Sequence, residues 1–289
     1  MKNIKILFVL ASILFLFSCQ PNQIRLNENN INKILLEFYN PSSSKVLIAA
    51  HRAMHTKYPE NSLAAYQHSI DNGIDIIETD IRTTKDGKLV LMHDDSVDRT
   101  SNGKGKIRNY TYNDLQKLKL KDKYDVGEIF NIPLAKDAFN LARGKILLDL
   151  DLKDVSIKQL VKLVHKTKVE KQVLFFDSDF AVLDSVLLLD STLIIMPRAH
   201  SLEEVKNIIE RYHPRVIHID PSFYTKEVVN LIKKNGARIW INALGKTDMK
   251  AFAYNADVAY GQLLENGANI IQTDLPVILK TYLKKKKLR

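Results

Sequence analysis

Cysteine is almost absent from this chain of 289 residues, which contains one cysteine and one tryptophan. With a single cysteine, Cys19, there can be no internal disulfide. No basic stripe with interleaved aromatic residues occurs before the C-terminus, and we therefore expect no nucleic-acid partner. Long apolar runs are also missing, because the longest, near the N-terminus, is too short for a comfortable membrane span.

The N-terminus has the pattern of a secretory signal. MKNIK supplies two lysines, ILFVLASILFLF forms a short apolar core, and Ser18 precedes Cys19. The stretch Leu16-Phe17-Ser18-Cys19 resembles a bacterial lipobox, in which the cysteine is lipidated and becomes the mature N-terminus. We therefore expect residues 1–18 to be a lipoprotein signal peptide, and lipid on Cys19 to hold the protein in the bacterial cell envelope. An uncleaved transmembrane anchor is the alternative.

Positive charge is concentrated at the C-terminus. The formal charge is +10, and loss of residues 1–18 removes Lys2 and Lys5 and leaves +8. Five of these charges lie in the last six residues, KKKKLR. A solvated helix end favours such cations, and weak attraction to an anionic membrane is the alternative.

The remaining sequence divides into a tether and one domain. Residues 19–44 are polar and rich in asparagine, and we predict a tether with one or two helical turns around 31–38. About 245 residues follow without a break rich in glycine, serine or proline, which suits one domain from 45 to 289.

Apolar strands alternate with amphipathic helices throughout this domain. Nine strands are predicted, at 46–50, 74–80, 88–92, 145–151, 172–176, 193–197, 215–219, 238–242 and 269–273. Only a short segment with Asp86-Gly87, a strong hairpin turn, separates the second and third strands. Because parallel neighbours need a longer crossover, the third strand must fold back antiparallel. Eight strands with intervening helices then predict an α/β fold, a (β/α)8 TIM barrel.

Ionisable residues end three of the early strands. His51-Arg52 closes the first strand, Glu78-x-Asp80 the second, and His93-Asp94 the third. Barrel enzymes build their active sites from residues gathered at the ends of successive strands. The hairpin also returns His93 to about the level of Asp80, beside the acidic pair.

The acidic residues indicate a metal site. Glu78 and Asp80 are two apart on a strand and share a face, where like charges repel unless a cation intervenes. Asp149 and Asp151 share a face of a later strand, with Lys153 beyond them. Oxygen ligands suit one divalent cation, Ca²⁺ or Mg²⁺. Spacing does not decide which of the later pair binds it, and a solvent-facing carboxylate pair is the alternative.

The histidines and Arg52 complete the candidate site. His51 and His93 are interpreted as proton donor and acceptor, and Arg52 offers a planar fork for phosphate oxygens. The other histidines have no comparable context and are interpreted as structural: His55, His68, His165, His200, His213 and His218.

Residues 51–107 resemble the glycerophosphodiester phosphodiesterase family. They present His-Arg, Pro-Glu-Asn, Glu-x-Asp, Thr-x-Asp-Gly and His-Asp in the family's order. The resemblance continues at Asp151-Leu-Lys153, at Trp240 with Asn242, and at the closing Thr-Asp-Leu-Pro, so it covers about 46–282. It implies a (β/α)8 barrel with a small insertion after the second strand, at about 83–130.

The resemblance also implies roles. His51 and His93 would be the catalytic acid–base pair, and Glu78, Asp80 and Asp151 the metal ligands. Phosphate or substrate would be bound by Arg52, Lys153 and Trp240. Two positions depart from the family pattern: Ala53 replaces a glycine, and Asp151 replaces a glutamate that is one methylene longer.

These residues predict a lipid-anchored, metal-dependent phosphodiesterase. It would hydrolyse small glycerophosphodiesters to glycerol phosphate and an alcohol, with water or the glycerol's own hydroxyl as nucleophile. The alternatives are a lipid phosphodiesterase resembling lysophospholipase D or sphingomyelinase D, and a non-catalytic lipoprotein that binds phosphodiesters.

Overall fold

A computed structural model describes residues 30–123 and 125–289. The expected signal peptide and Cys19 lie outside the described residues. Within these ranges, no helix combines the length and apolar character needed to cross a membrane.

All nine predicted strands are present. They are β1 (Leu47–Ala50), β2 (Ile76–Thr83), β3 (Leu89–Leu91), β4 (Leu147–Leu152), β5 (Val173–Asp177), β6 (Ile194–Ala199), β7 (Val216–Ile219), β8 (Arg238–Asn242) and β9 (Ile270–Thr273).

Helices cover the outside of the sheet and follow most strands. The α-helices are α1 (Asn30–Phe38), α2 (Leu63–Asp71), α3 (Tyr112–Leu115), α4 (Ala135–Ala142), α5 (Ile157–Thr167), α6 (Phe180–Leu189), α7 (Leu202–Tyr212), α8 (Lys226–Lys234), α9 (Lys246–Lys250), α10 (Ala256–Leu264) and α11 (Pro276–Lys285). A π-helical turn, Ala251–Asn255, joins α9 to α10, and short 3₁₀ turns lie at Ile107–Asn109 and Pro221–Phe223.

Eight parallel strands close into a barrel, so the predicted (β/α)8 fold is confirmed. The strand order is β1-β9-β8-β7-β6-β5-β4-β2, and β1 also pairs with β2 to complete the ring. The remaining strand, β3, pairs antiparallel with β2, with Ile81 opposite Leu91. The backbone N–H of Met92 donates to Asp80 O at 3.1 Å, which confirms that the hairpin returns to the level of Asp80.

Two apolar clusters fill the domain. The larger lies between the sheet and its helices, as expected where helices cover a parallel sheet. The second fills the lower barrel with at least one side chain from each of the eight parallel strands, including Leu147, Leu174 and Trp240. Because strand side chains alternate, the next inward residues along β2 and β4 lie above this apolar layer.

Helix α1 closes the N-terminal end of the barrel, where one or two helical turns were predicted around 31–38. Ile31, Ile34 and Phe38 of α1 are buried against the lower barrel cluster. Arg238, fully buried, donates to the carbonyl groups of Glu37 and Phe38. This part of the predicted tether therefore packs on the barrel.

The insertion after β2 forms a small unit with its own core. It runs from the hairpin to α4, slightly beyond the predicted 83–130, and contains α3. Its apolar cluster includes Val97, Ile107, Leu115 and Ile132. This core holds the segment after β3, and therefore His93, against the mouth of the barrel.

Candidate active site

The predicted site residues meet at the C-terminal ends of β1, β2 and β4, opposite α1. In the register of these strands Glu78 pairs with Asp149 and Asp80 with Asp151. The carboxylate oxygens of Glu78, Asp80 and Asp151 lie within 4.8 Å of one another. Strand pairing thus brings together three carboxylates from two separate sequence motifs.

Glu78, Asp80 and Asp149 are buried, and Asp151 is half-buried. Burial, together with Asp80 and Asp151, holds the pKa of Glu78 well above its usual range. Burial and Asp151 do the same to the pKa of Asp149, which lies at the level of Glu78. Burial likewise raises the pKa of Asp151, against the opposing effect of Lys153. Four acids with so little exposure are costly unless positive charge is supplied.

The unsatisfied oxygen atoms fit a hard cation. Oδ1 of Asp80 and Oδ1 of Asp149 are buried and accept no hydrogen bond among the described residues. The ammonium of Lys153 lies 2.6 Å from Asp151 Oδ2 and 3.5 Å from Asp80 Oδ1. Arg52 Nε also lies 3.6 Å from Asp80 Oδ2. Two cationic side chains do not balance the four acids, and oxygen atoms this close match the ligand spacing around Ca²⁺ or Mg²⁺. Glu78, Asp80 and Asp151 are the residues that could hold it.

The loop after β1 wraps tightly around Glu78. Arg52 and Ala53 have φ values of +50° and +64°, and the backbone N–H of Arg52 donates to Glu78 Oε2 at 2.8 Å. The N–H of Ala53 donates to Glu78 O at 3.2 Å. The left-handed conformation at Ala53 gives a physical reason for a glycine here, since a Cβ strains this region.

Asn61 fixes Asp80 from the same loop. Its side-chain amide donates to Asp80 Oδ2 at 2.8 Å and accepts from the Thr79 hydroxyl at 2.7 Å. Asn61 is 2% exposed and has φ +56°. Asn61 therefore orients one proposed metal ligand.

His51 lies beside Glu78 and is held by Asp274. Its Nδ1 is 2.7 Å from Asp274 Oδ1, and its Nε2 is 4.0 Å from Glu78 Oε2. His55 Nε2 also contacts Asp274 Oδ1, at 3.0 Å. Burial opposes ionisation of Asp274, but His51 and His55 hold its pKa well below the usual range. The structural interpretation of His55 is therefore incomplete, because His55 contacts the partner of His51.

His93 reaches the site from the hairpin, with Asp94 as its partner. Its Nδ1 lies 2.7 Å from Asp94 Oδ1, and Arg82 donates to its backbone carbonyl at 2.9 Å. The positive charge of His93 also lowers the pKa of Asp151. Both predicted catalytic histidines therefore have Nδ1 on a carboxylate, which favours the tautomer with Nε2 as acceptor.

An ion-pair chain joins the two sides of the site. Arg52 Nη1 donates to Glu60 at 2.9 Å, and Arg99 donates to both Glu60 and Asp94. Burial alone would raise the pKa of Glu60, but Arg99 and Arg52 lower it to about 2. Sequence reasoning assigned no role to Glu60, Asn61, Arg99 or Asp274.

Trp240 lies deeper than a direct substrate contact requires. It is fully buried in the lower barrel cluster, and its indole N–H is 3.2 Å from both Asn242 Oδ1 and Gln272 Oε1. The structure places Trp240 below the mouth, and its predicted substrate-binding role stays a prediction.

Comparison with known proteins identifies the family. Residues 51–236 match the model of the glycerophosphoryl diester phosphodiesterase family, and residues 194–283 match a domain of unknown function. A barrel with a carboxylate cluster and two carboxylate-bound histidines at its mouth defines the class of protein. The chain belongs to the glycerophosphoryl diester phosphodiesterase family, and so to the phosphoric diester hydrolases.

Relatives and solved structures agree with this family assignment. A glycerophosphodiester phosphodiesterase of Bacillus altitudinis is 28% identical over 79% of this chain and 94% of its own length. The crystal structure of a glycerophosphoryl diester phosphodiesterase from Parabacteroides distasonis has a TM-score of 0.78 and 28% identity, covering 89% of this chain and 92% of that one. An Oleispira antarctica phosphodiesterase, solved with its product sn-glycerol-3-phosphate, has a TM-score of 0.67 at 23% identity, covering 82% of this chain and 96% of that one, and supports the fold.

Proposed function

We propose that this protein hydrolyses small glycerophosphodiesters to glycerol phosphate and an alcohol, with a divalent cation and two histidines at the barrel mouth. The observation that carries the proposal is the position of His51 and His93 beside the carboxylates, each with a carboxylate on Nδ1. The names of the relatives favour this substrate class over the lipid and non-catalytic alternatives.

Glu78, Asp80 and Asp151 would hold one Ca²⁺ or Mg²⁺ ion. When bound, the cation would polarise the phosphoryl oxygens and stabilise the developing charge. Asp151 is shorter than the family's glutamate, but its carboxylate still lies within 4.8 Å of the other two. With the shorter side chain, the cation would have to shift or accept a water among its ligands.

The protein's own residues would bind the phosphate and move protons. Lys153 and Arg52 would neutralise the phosphate, and the buried Nε of Arg52 has no hydrogen-bond partner among the described residues. One histidine would deprotonate the attacking hydroxyl and the other would protonate the leaving alcohol, each through Nε2. Either histidine suits either role, and the nucleophile is water or the glycerol's own hydroxyl.

A substrate panel tests the proposal. Residues 20–289 would be assayed on glycerophosphodiesters and lysolipids, with chelator and after addition of Ca²⁺ or Mg²⁺. We expect glycerophosphodiester hydrolysis that chelation abolishes and one of the ions restores. Full activity after exhaustive chelation would contradict the metal site, and faster cleavage of lysolipids would favour the lipid alternative.

Histidine variants test the acid–base pair in the same assay. His51→Ala or His93→Ala should each lower kcat by about 10²-fold or more, the usual effect of losing a general acid or base. His165→Ala and His213→Ala are the matched controls, because His165 lies on the outer helix α5 and His213 directly follows the outer helix α7. If the control variants lost as much kcat as the His51→Ala and His93→Ala variants, the acid–base assignment would be refuted.

A further inference from the structure

A second charged group lies at the mouth of the barrel, on β6 and β7. Arg198 donates from Nε to Asp220 Oδ1 at 3.0 Å, and Nη2 contacts the same atom. On the other side, His200 Nδ1 lies 2.5 Å from Asp220 Oδ2. Asp220 is therefore held from both sides, and nothing in the proposed hydrolysis uses these three residues.

Strand alternation points this group into the mouth. Met196 and His218 are buried inside the barrel. Arg198 lies two positions after Met196, and Asp220 lies two positions after His218, so each shares the face of its predecessor. The charge of Arg198 contributes to lowering the pKa of His218 to about 3, after burial itself. The Arg198–Asp220 pair therefore lies directly above the buried His218.

The pair lies across the mouth from the carboxylates. Around the closed ring, β7 is the fourth strand from β2 in either direction. Asp220, directly after β7, is thus on the side of the barrel opposite Asp80 on β2. A phosphodiester bound at Lys153 and the carboxylates would have two arms, and an arm that extended across the mouth would point towards Arg198.

Arg198 offers hydrogen-bond donors from a charged guanidinium at this side of the mouth. The side chain of Arg198 is 34% exposed, and its bonds to Asp220 leave Nη1 to donate to a ligand. Both oxygens of Asp220 are engaged, and the neighbouring ring of Phe176 packs on His218 at 5.1 Å. A quaternary ammonium is recognised by open aromatic faces, and Phe176, the aromatic residue on the neighbouring strand β5, is half-buried with its ring against His218.

We propose that Arg198, held by Asp220, binds the leaving alcohol and selects hydroxyl-rich or anionic groups over quaternary ammonium groups. The inference rests on the proposed function, because it assigns the leaving-group side of the same site. Hydroxyl and phosphate oxygens accept from a guanidinium, whereas a trimethylammonium group offers it no acceptor.

The test compares leaving groups in the metal-loaded enzyme. The ratio of kcat/KM for glycerophosphoinositol to that for glycerophosphocholine should be about tenfold, the worth of one charge-assisted hydrogen bond. Arg198→Met should reduce this ratio to about one, and Arg198→Lys should keep part of it. Arg211→Met is the matched control, because Arg211 pairs with Asp184 on the outer helices and its loss should not change the ratio.

Each outcome decides the proposal. A higher kcat/KM for glycerophosphocholine in the unchanged enzyme overturns the proposal. An equal loss of kcat/KM on both substrates in Arg198→Met also overturns it, because Arg198 would then bind the glycerol end that the two substrates share. If Arg198→Met does not fold, the ratio in Arg198→Lys decides. Calorimetric binding of both diesters to the His93→Ala variant measures the preference without turnover, so failed hydrolysis would overturn only the proposed function.

Discussion

Arg99 donates to both carboxylate oxygens of Glu60, at 2.7 and 2.8 Å. The same guanidinium donates to Asp94, at 2.7 and 3.0 Å, and Asp94 in turn contacts His93. A single arginine thus ties the loop after β1 to the segment after β3. We infer that it positions His93 without contacting the substrate.

Replacing Arg99 should affect turnover more than binding. In Arg99→Met, Asp94 loses its arginine partner and His93 loses its fixed orientation. We therefore expect kcat to fall about tenfold, which is less than the loss expected for removing His93 itself. The acidic limb of the pH–rate profile should also move to higher pH, because Arg99 holds the pKa of Asp94 well below its usual range and its loss would raise that pKa. Arg108→Met, at an exposed position of the same insertion, should change neither kcat nor the profile. A change in KM alone would contradict the positioning role.

The ionisation of Glu60 should make stability depend on pH. Its pKa is about 2 in the folded protein and 4.5 ordinarily, so the folded state favours the charged form. This stabilisation is present above pH 4.5 and is lost as the pH falls towards 2. Glu60→Gln should therefore flatten the fall in the free energy of unfolding between pH 4.5 and 2, measured by urea titration. Glu203→Gln, on the exposed surface of α7, should leave the slope unchanged.

Ala53 carries strain that glycine would relieve. Its φ of +64° lies in the left-handed region, and the residue is 1% exposed. Ala53→Gly should raise the free energy of unfolding by up to about 1 kcal/mol, reduced by the greater freedom of the unfolded chain. Ala181→Gly, at an exposed position in α6, should lower it by about 1 kcal/mol. Equal destabilisation by both changes would contradict strain at Ala53.

Local sequence patterns predicted most of the barrel. Period-two alternation placed Glu78 and Asp80 on one face, and the turn at Asp86-Gly87 forced the antiparallel hairpin that carries His93. Helical turns were also predicted around 31–38, where Ile31, Ile34 and Phe38 recur at i, i+3 and i+7. The packing of this helix on the lower barrel was not predicted.

The partners of the site residues could not be predicted in this way. Asp274 lies 223 positions from His51, and its carboxylate is the residue that orients the histidine. Arg99 meets Glu60 across 39 positions, through an insertion whose path depends on its own small core. Such contacts follow from barrel closure and loop packing, which leave no periodic trace in the sequence. The residues at the strand ends were predictable, and the long-range hydrogen bonds and ion pairs that hold them were not.

The cell-envelope location remains our proposal, and Cys19 gives its test. If Cys19 is lipidated, the protein should partition into detergent, and mass spectrometry should find a diacylated or triacylated mature N-terminus at that residue. Cys19→Ala should block lipidation and leave an uncleaved precursor or a soluble product. Because α1 closes the barrel end opposite the site, and 20–29 span at most about 36 Å, the mouth should face away from the anchoring membrane. An anchored enzyme should then cleave soluble glycerophosphodiesters as fast as residues 20–289 do. An unmodified Cys19, or a mature chain that starts elsewhere, would contradict the anchor.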